Sequence, residues 1–431
     1  MTSITKKIIF ILILFIHIGV GYTQNKSILI LNGTAHIGNG DVIENSAIGF
    51  KDGKLILIAD ATKIRLNKSE YDTVFNAYGK QIYPGIIAPN SSLGLVEIGE
   101  VRATRDEEEV GSINPNARAL IAYNTDSKII PTVRTNGVLL VQCTPRSGLI
   151  SGTSSIMMLN GWNWEDAAYK IEDGVHMNWP QLQFTSGDDD RSGETKKNEQ
   201  YEKQLQSLTD FFTSAQAYSK TDKPAKTDLK LDAMKNIFLG KENLYIHVDG
   251  SKRILEAITF AKRFSIPHMV VVGGDEAYTV ADALKENNIP VILSRIHALP
   301  ARAEDDVDLP YKQPALLQKA GILFCLSYEG PMEQMGERNL PFTAGTAAAY
   351  GLTKEEALMS ITLNSAKILG IDSTTGSLEE GKDATLFVST GDALDMKSNN
   401  VEFAFIKGNL IDLNNNQKAL YEKYKEKYQI K

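Results

Sequence analysis

Four side chains in this sequence pair metal-binding or proton-transfer chemistry with a place at or just beyond the carboxyl end of an apolar, strand-like run: His247, Glu276, His297 and Glu329. Imidazole nitrogens and carboxylate oxygens are the donors that zinc takes in catalytic sites, where three protein ligands leave a fourth position for water. His247, His297 and Glu329 would make such a set, although no spacing in the sequence shows that they converge. The competing reading makes both histidines ordinary polar residues bonded to backbone or carboxylates. The loop 294–302 adds Arg295 and Arg302. Their planar guanidinium groups suit a carboxylate ligand, or they pair with the following acids Glu304, Asp305 and Asp306 as exposed loop residues commonly do. Gly273-Gly274 serves either close approach of a ligand to the backbone or a tight strand-to-helix turn. His268 follows Pro267 at the start of its strand and belongs at the opposite end; His36 and His176 carry no motif.

Other catalytic signatures are missing. Residues 146–155 hold neither a Gly-x-Ser-x-Gly elbow nor the Gly-Lys-Ser/Thr end of a phosphate loop. The acidic run 106–109 lacks the ligand alternation around a glycine that calcium loops use. A formal charge of −7 argues against nucleic-acid binding. Two cysteines, Cys143 and Cys325, are too few and too far apart for a disulfide framework or a four-thiolate metal site.

The elements that must position the candidates alternate. Residues 138–141, 244–248, 268–272, 290–293 and 322–326 read as short buried strands, and 254–264, 278–287, 314–320 and 353–369 as helices. Alternation of this kind makes a parallel sheet covered by helices, so the fold class is α/β, a (β/α)₈ TIM-type barrel over 84–370 with a charged, solvated insertion at about 185–239. The stretches 24–83 and 371–413 read as β, with Asp52-Gly53 between apolar runs marking a hairpin. Each is too short to bury a core alone, so together they form a small composite β-sandwich built from both chain ends. Residues 414–431 read as a C-terminal helix. Lys6-Lys7 followed by an apolar run over 8–20 describes a signal peptide at 1–23. The reading is an exported chain, periplasmic or secreted, with no membrane span after signal removal.

At Tyr83-Pro84-Gly85-Ile86-Ile87 and again at 376–384 the chain resembles the amidohydrolase superfamily, in its imidazolonepropionase-like branch; 352–370 is similar to that family's last barrel helix. The resemblance implies a divalent metal that turns bound water into hydroxide. Typical members bind it through a His-x-His after the Pro-Gly motif, and here Asn90 and Ser92 stand in those places. An amide and a hydroxyl are weak donors for a transition metal. His247 resembles the fifth-strand histidine, but Gly273 stands where the next ligand is expected, and Ser327-Tyr328-Glu329 replaces the aspartate after the last strand.

Two functional readings follow. In the first, catalysis is impaired and the chain is a non-catalytic binding or partner subunit. It has no metal or other cofactor, takes a small-molecule ligand, and forms a homo-oligomer or pairs with a paralogous amidohydrolase subunit. In the second, zinc or another divalent metal sits in a rearranged site using His247 with His297, Glu276 or Glu329, with Arg295 in the same pocket, and the chain hydrolyses a non-peptide or dipeptide-like C–N bond.

Overall fold

The computed structural model describes residues 27–186, 194–221, 224, 226–330 and 332–430; the signal-peptide reading lies outside them. Strands β1 (Ile28–His36), β2 (Val42–Lys51), β3 (Lys54–Asp60), β4 (Thr73–Asn76) and β5 (Gln81–Pro84) come from the first part of the chain. The β2–β3 connection is the two-residue turn the sequence predicts: Asp52 and Gly53 both adopt positive φ, 54° and 78°, and Lys51 faces Lys54.

Eight further strands close on themselves: β6 (Ile86–Ser91), β7 (Val138–Cys143), β8 (Ile150–Met158), β9 (Ala168–Asn178), then, after the small hairpin β10 (Gln183–Ser186) and β11 (Glu194–Lys197), β12 (Asn243–Val248), β13 (Met269–Gly273), β14 (Val291–Leu293) and β15 (Phe324–Leu326). This is the expected barrel with one difference: β8 runs antiparallel to both neighbours. The predicted helix 353–369 is two, Lys354–Met359 and Leu363–Ile368. The break has a use. The Ser360 and Ile361 carbonyls accept bonds from Leu326 N (3.1 Å) and Ile87 N (2.9 Å), joining β15 to β6 where no ladder runs directly. Carbonyls spent on closing the barrel cannot also serve a continuous helix.

The stretch read as a solvated insertion carries the helix Tyr201–Ser219, which buries Leu208, Phe212 and Ala215. Phe212 packs against Phe260 of the helix Ser251–Arg263 and against Phe264 just after it, so this segment is part of the barrel's outer layer, held by apolar burial that its charged face conceals.

The remaining strands β16 (Leu386–Ser389), β17 (Val401–Ile406) and β18 (Asn409–Leu410) return to the first module, with β16 pairing antiparallel to β5. Both chain ends therefore build one module. Hydrogen bonds link its eight strands into a single sheet, where a sandwich of two is the sequence expectation, and Ile30, Ile48, Phe50, Ile82, Leu386 and Phe405 share its core. The helix Asn416–Tyr428 ends the chain with no buried residue. Cys143 and Cys325 are buried free thiols. Among the described residues no helix is long and apolar enough to cross a membrane.

Candidate functional site

The barrel interior below the carboxyl end is not purely apolar. Asp173 of β9 is fully buried and accepts hydrogen bonds from Gln142 Nε2 (2.7 Å), Ser154 Oγ (2.8 Å) and Tyr245 OH (2.7 Å). Burial pushes its carboxyl pKa up, and the three donors pull it the other way. An ionised carboxylate is a pure acceptor, and each donor here points at it. Ser154 spends its single proton on Asp173, so its oxygen accepts from His176 Nε2 at 3.0 Å. Burial, with the charges of His247 and Arg146, holds His176 well below the usual imidazole range, so it is neutral and has one N–H. Its Nδ1 lone pair must then accept from His247 Nε2, 2.9 Å away. The relay Asp173–Ser154–His176 therefore takes up the Nε2–H of His247, and Nδ1 is the nitrogen facing out, 3.8 Å from Glu329 Oε1.

Glu329 is the meeting point of the mouth. Its Oε2 accepts from Asn90 Nδ2 (2.9 Å) and Ser294 Oγ (3.3 Å). Burial opposes its ionisation, but hydrogen bonding to His247 and the charge of Arg146 outweigh that and bring its pKa down to about 2. Arg146, just beyond β7, donates to Asn90 Oδ1, to the Asn90 carbonyl (2.8 Å) and to Glu333 Oε1 (2.9 Å). Asn90 adopts left-handed φ of 54°, which turns both its oxygens toward that one guanidinium. Ser92 donates its hydroxyl to Glu333, whose Oε1 also takes the Ser92 N–H at 3.0 Å. Burial, then the neighbouring Glu333, pushes the Glu337 carboxyl well up.

Two adjoining cavities open at this end of the barrel and share Asp249, Gly273 and Ser294. One, about 340 Å³, is lined by His247, Glu329 and Trp179; the other, about 370 Å³, by Glu276, Arg295 and Arg302. Burial, then the charge of Asp275, raises the Asp249 carboxyl to about 6.

The sequence candidates thus divide. His247 and Glu329 are brought together, with Asn90 bonded to Glu329. Glu276 belongs to the second cavity, where it caps the helix Ser251–Arg263 through Ser251 N (2.8 Å) and pairs with Arg302. Arg295 lies over the Tyr328 ring at 5.4 Å. His297 is engaged elsewhere: its Nε2 bonds Thr346 Oγ1 at 2.7 Å, and its ring meets Tyr311 edge-on. Among the described residues, no three His, Cys, Asp or Glu side chains converge in a way that could hold a metal ion, so the His247, His297 and Glu329 set is not assembled.

The family's metal does not fit the donors present. Asn90 and Ser92 are already bonded to Arg146, Glu329 and Glu333. Gly273 has φ of 99°, and a Cβ there would lie 2.7 Å from Asp249 Oδ1, so a side chain at 273 would strain the backbone and displace the Asp249 carboxylate. Sequence reasoning missed His176, Arg146 and Glu333. Each lies far along the chain from its partner, 187 residues in the case of Arg146 and Glu333.

A family model described as Amidohydrolase family matches residues 151–411. An imidazolonepropionase from Flavobacterium psychrophilum is 24% identical over 196 residues, which is 41% of this chain and 47% of that protein, so the chain spans about half the length of that curated relative. A solved amidohydrolase from Thermotoga maritima is similar at 26% identity with a TM-score of 0.77, covering 89% of this chain and 99% of its own. An adenosine deaminase from Xanthomonas campestris, solved with bound zinc, shares the fold at 14% identity and a TM-score of 0.54, covering 93% and 97%.

Proposed function

The chain belongs to the amidohydrolase family, and from that premise we propose that it has given up metal-activated hydrolysis and binds a small molecule, without a metal, in the cleft at the carboxyl end of its barrel. One observation carries this reading. The side chains at the family's ligand places satisfy one another, Asn90 with Arg146 and Glu329 and Ser92 with Glu333, while the cleft beside them stays open. A hydrolase of this type needs an ion to lower the pKa of its nucleophilic water, and a buried guanidinium beside those oxygens opposes a second cation by like-charge repulsion. The chain would then act as a binding or partner subunit, exported to the periplasm or medium, alone as a homo-oligomer or beside a metal-bearing relative.

The test is to purify the mature chain without chelators, measure bound zinc, manganese and iron, and assay N-acyl amino acids, dipeptides and lactams. The expected result is less than stoichiometric metal and no turnover. Stoichiometric metal lost together with turnover in His247→Ala overturns the reading. Restoring histidines at Asn90 and Ser92 should not by itself create metal-dependent turnover, because Gly273 and Ser327 still supply no competent donor.

A further inference from the structure

Resting on the metal-free reading just given, we propose that the guanidinium of Arg146 is the resident cation of this barrel, and that removing it opens a binding site for a divalent cation. The oxygens are arranged as they would be around an ion. Asn90 turns its side-chain oxygen and its own carbonyl, at 2.8 Å, onto the same guanidinium, and Glu333 adds a carboxylate oxygen at 2.9 Å. The carboxylate of Glu329 is one hydrogen bond further on, held by Asn90 Nδ2 at 2.9 Å, and its charge also acts on Arg146. The left-handed backbone at Asn90 is the feature that ordinary strand geometry does not explain, and it accompanies one residue contributing two oxygens to the two terminal nitrogens of one guanidinium.

Charge balance makes the same argument. The side chains of Arg146 and Glu333 are only 17% and 9% exposed, so neither charge is solvated by bulk water. Two carboxylates, a neutral amide and a carbonyl that face inward require a cation among them. Arg146 meets that need with a planar fork of donors rather than a point charge. With a small apolar residue at 146, the same oxygens would surround a void, and oxygen-rich sets of this kind take hard divalent ions such as manganese or calcium. The site would be built from residues of β6 and of the segment after β15, the two strands that the Ser360–Ile361 carbonyls tie together.

The experiment follows thermal unfolding of wild type, Arg146→Ala, Arg146→Lys and the double variant Arg146→Ala/Glu333→Gln in chelator-treated buffer, titrated with MnCl2 and, separately, CaCl2. Arg146→Ala should unfold at a lower temperature without ion and gain saturable stabilisation, with half-saturation at least roughly tenfold below any response of wild type. Arg146→Lys keeps a cation and should stay unresponsive, and the double variant should lose most of the gain. Should Arg146→Ala fail to fold in chelated buffer, refolding in MnCl2 should recover it. A folded Arg146→Ala that ignores both ions, equal failure to refold with and without manganese, or an Arg146→Lys that responds like Arg146→Ala overturns the inference and leaves the metal-free reading standing. Stoichiometric metal in purified wild type overturns that reading itself, whatever Arg146→Ala does.

Discussion

The carboxyl end of this barrel has two sides that were built differently. On the β6–β7 side most polar groups are closed on one another: Asn90 is bonded to Arg146 and Glu329, and Ser92 and Arg146 to Glu333, while Glu329 also faces the cavity. On the β12–β14 side, Asp249, Ser294 and Glu276 line open cavities of about 340 and 370 Å³. On the reading proposed above, the difference separates the side where metal chemistry was given up from the side where room for a ligand was kept. Metal chemistry depends on a few donor atoms in a fixed geometry, so pairing those atoms with each other removes it, whereas a ligand cleft depends on the scaffold and survives the exchange.

If the closed side is held by charge pairing, breaking one partner should be costly. Glu333→Ala leaves Arg146 buried and without its carboxylate, and the expected loss is about 3–5 kcal/mol of unfolding free energy. Urea denaturation of Glu333→Ala against Glu333→Gln checks it, with Gln recovering part of the loss. A change under about 1 kcal/mol would mean that the cluster is open to water like an exposed ion pair.

The open side makes a prediction about pH. Asp249 is raised from 3.8 to about 6 by burial and by Asp275, so between those values the folded chain keeps a proton that the unfolded chain releases. Stability on its account is full below about pH 4 and falls as pH rises toward and through 6. Asp249→Asn should remove that fall and stabilise the protein at pH 7 by about 2 kcal/mol, since a shift of two pKa units corresponds to about 3 kcal/mol and Asp275 shares the coupled titration. Unfolding curves at pH 4 and pH 7 decide it; an unchanged pH slope in Asp249→Asn would show that the cleft is better solvated than its burial indicates.

Between the two sides stands Gly273, whose absent side chain leaves room for Asp249. Gly273→Ala adds a Cβ 2.7 Å from Asp249 Oδ1 at a φ of 99°, and should cost about 1–3 kcal/mol. Equal stability would show that the glycine there is not required by sterics.

The scaffold was legible because its signals are local. Apolar runs of four to six residues, the Asp52-Gly53 turn and the motif at Pro84-Gly85 each report on their own neighbourhood. The antiparallel β8 was not legible, because residues 150–158 mix small polar side chains, among them Ser154 of the Asp173 network, into what would be an apolar strand pattern. Nor was the break at Ser360–Ile361, where a helical pattern yields to two carbonyls needed elsewhere. At the site, Asn90, Ser92 and Gly273 could be seen to be poor ligands from residue type alone. The pairing found beside them could not be read, since Arg146 reaches Glu333 across 187 residues and leaves no periodic trace. His176 was passed over for a related reason: a lone histidine without a motif has meaning only once β9 lies beside β12.

The smallest effect is the most discriminating. Ser92 occupies a place where a ligand imidazole is expected, yet its hydroxyl serves Glu333, and Gln334 Nε2 in turn bonds Ser92 Oγ at 2.9 Å. Glu333 would keep Arg146 and the Ser92 N–H after truncation, so Ser92→Ala removes two hydrogen bonds, one donated to Glu333 and one accepted from the partly exposed Gln334, and leaves the carboxylate partnered. The expected cost is about 1 kcal/mol, with ligand binding in the cleft unchanged. A residue that still contributed to chemistry at the open side would behave otherwise, losing binding or turnover with little loss of stability. Measuring both on Ser92→Ala therefore asks whether the two sides of the barrel are independent, and a ligand affinity that falls while unfolding is unaffected would join them into one working site.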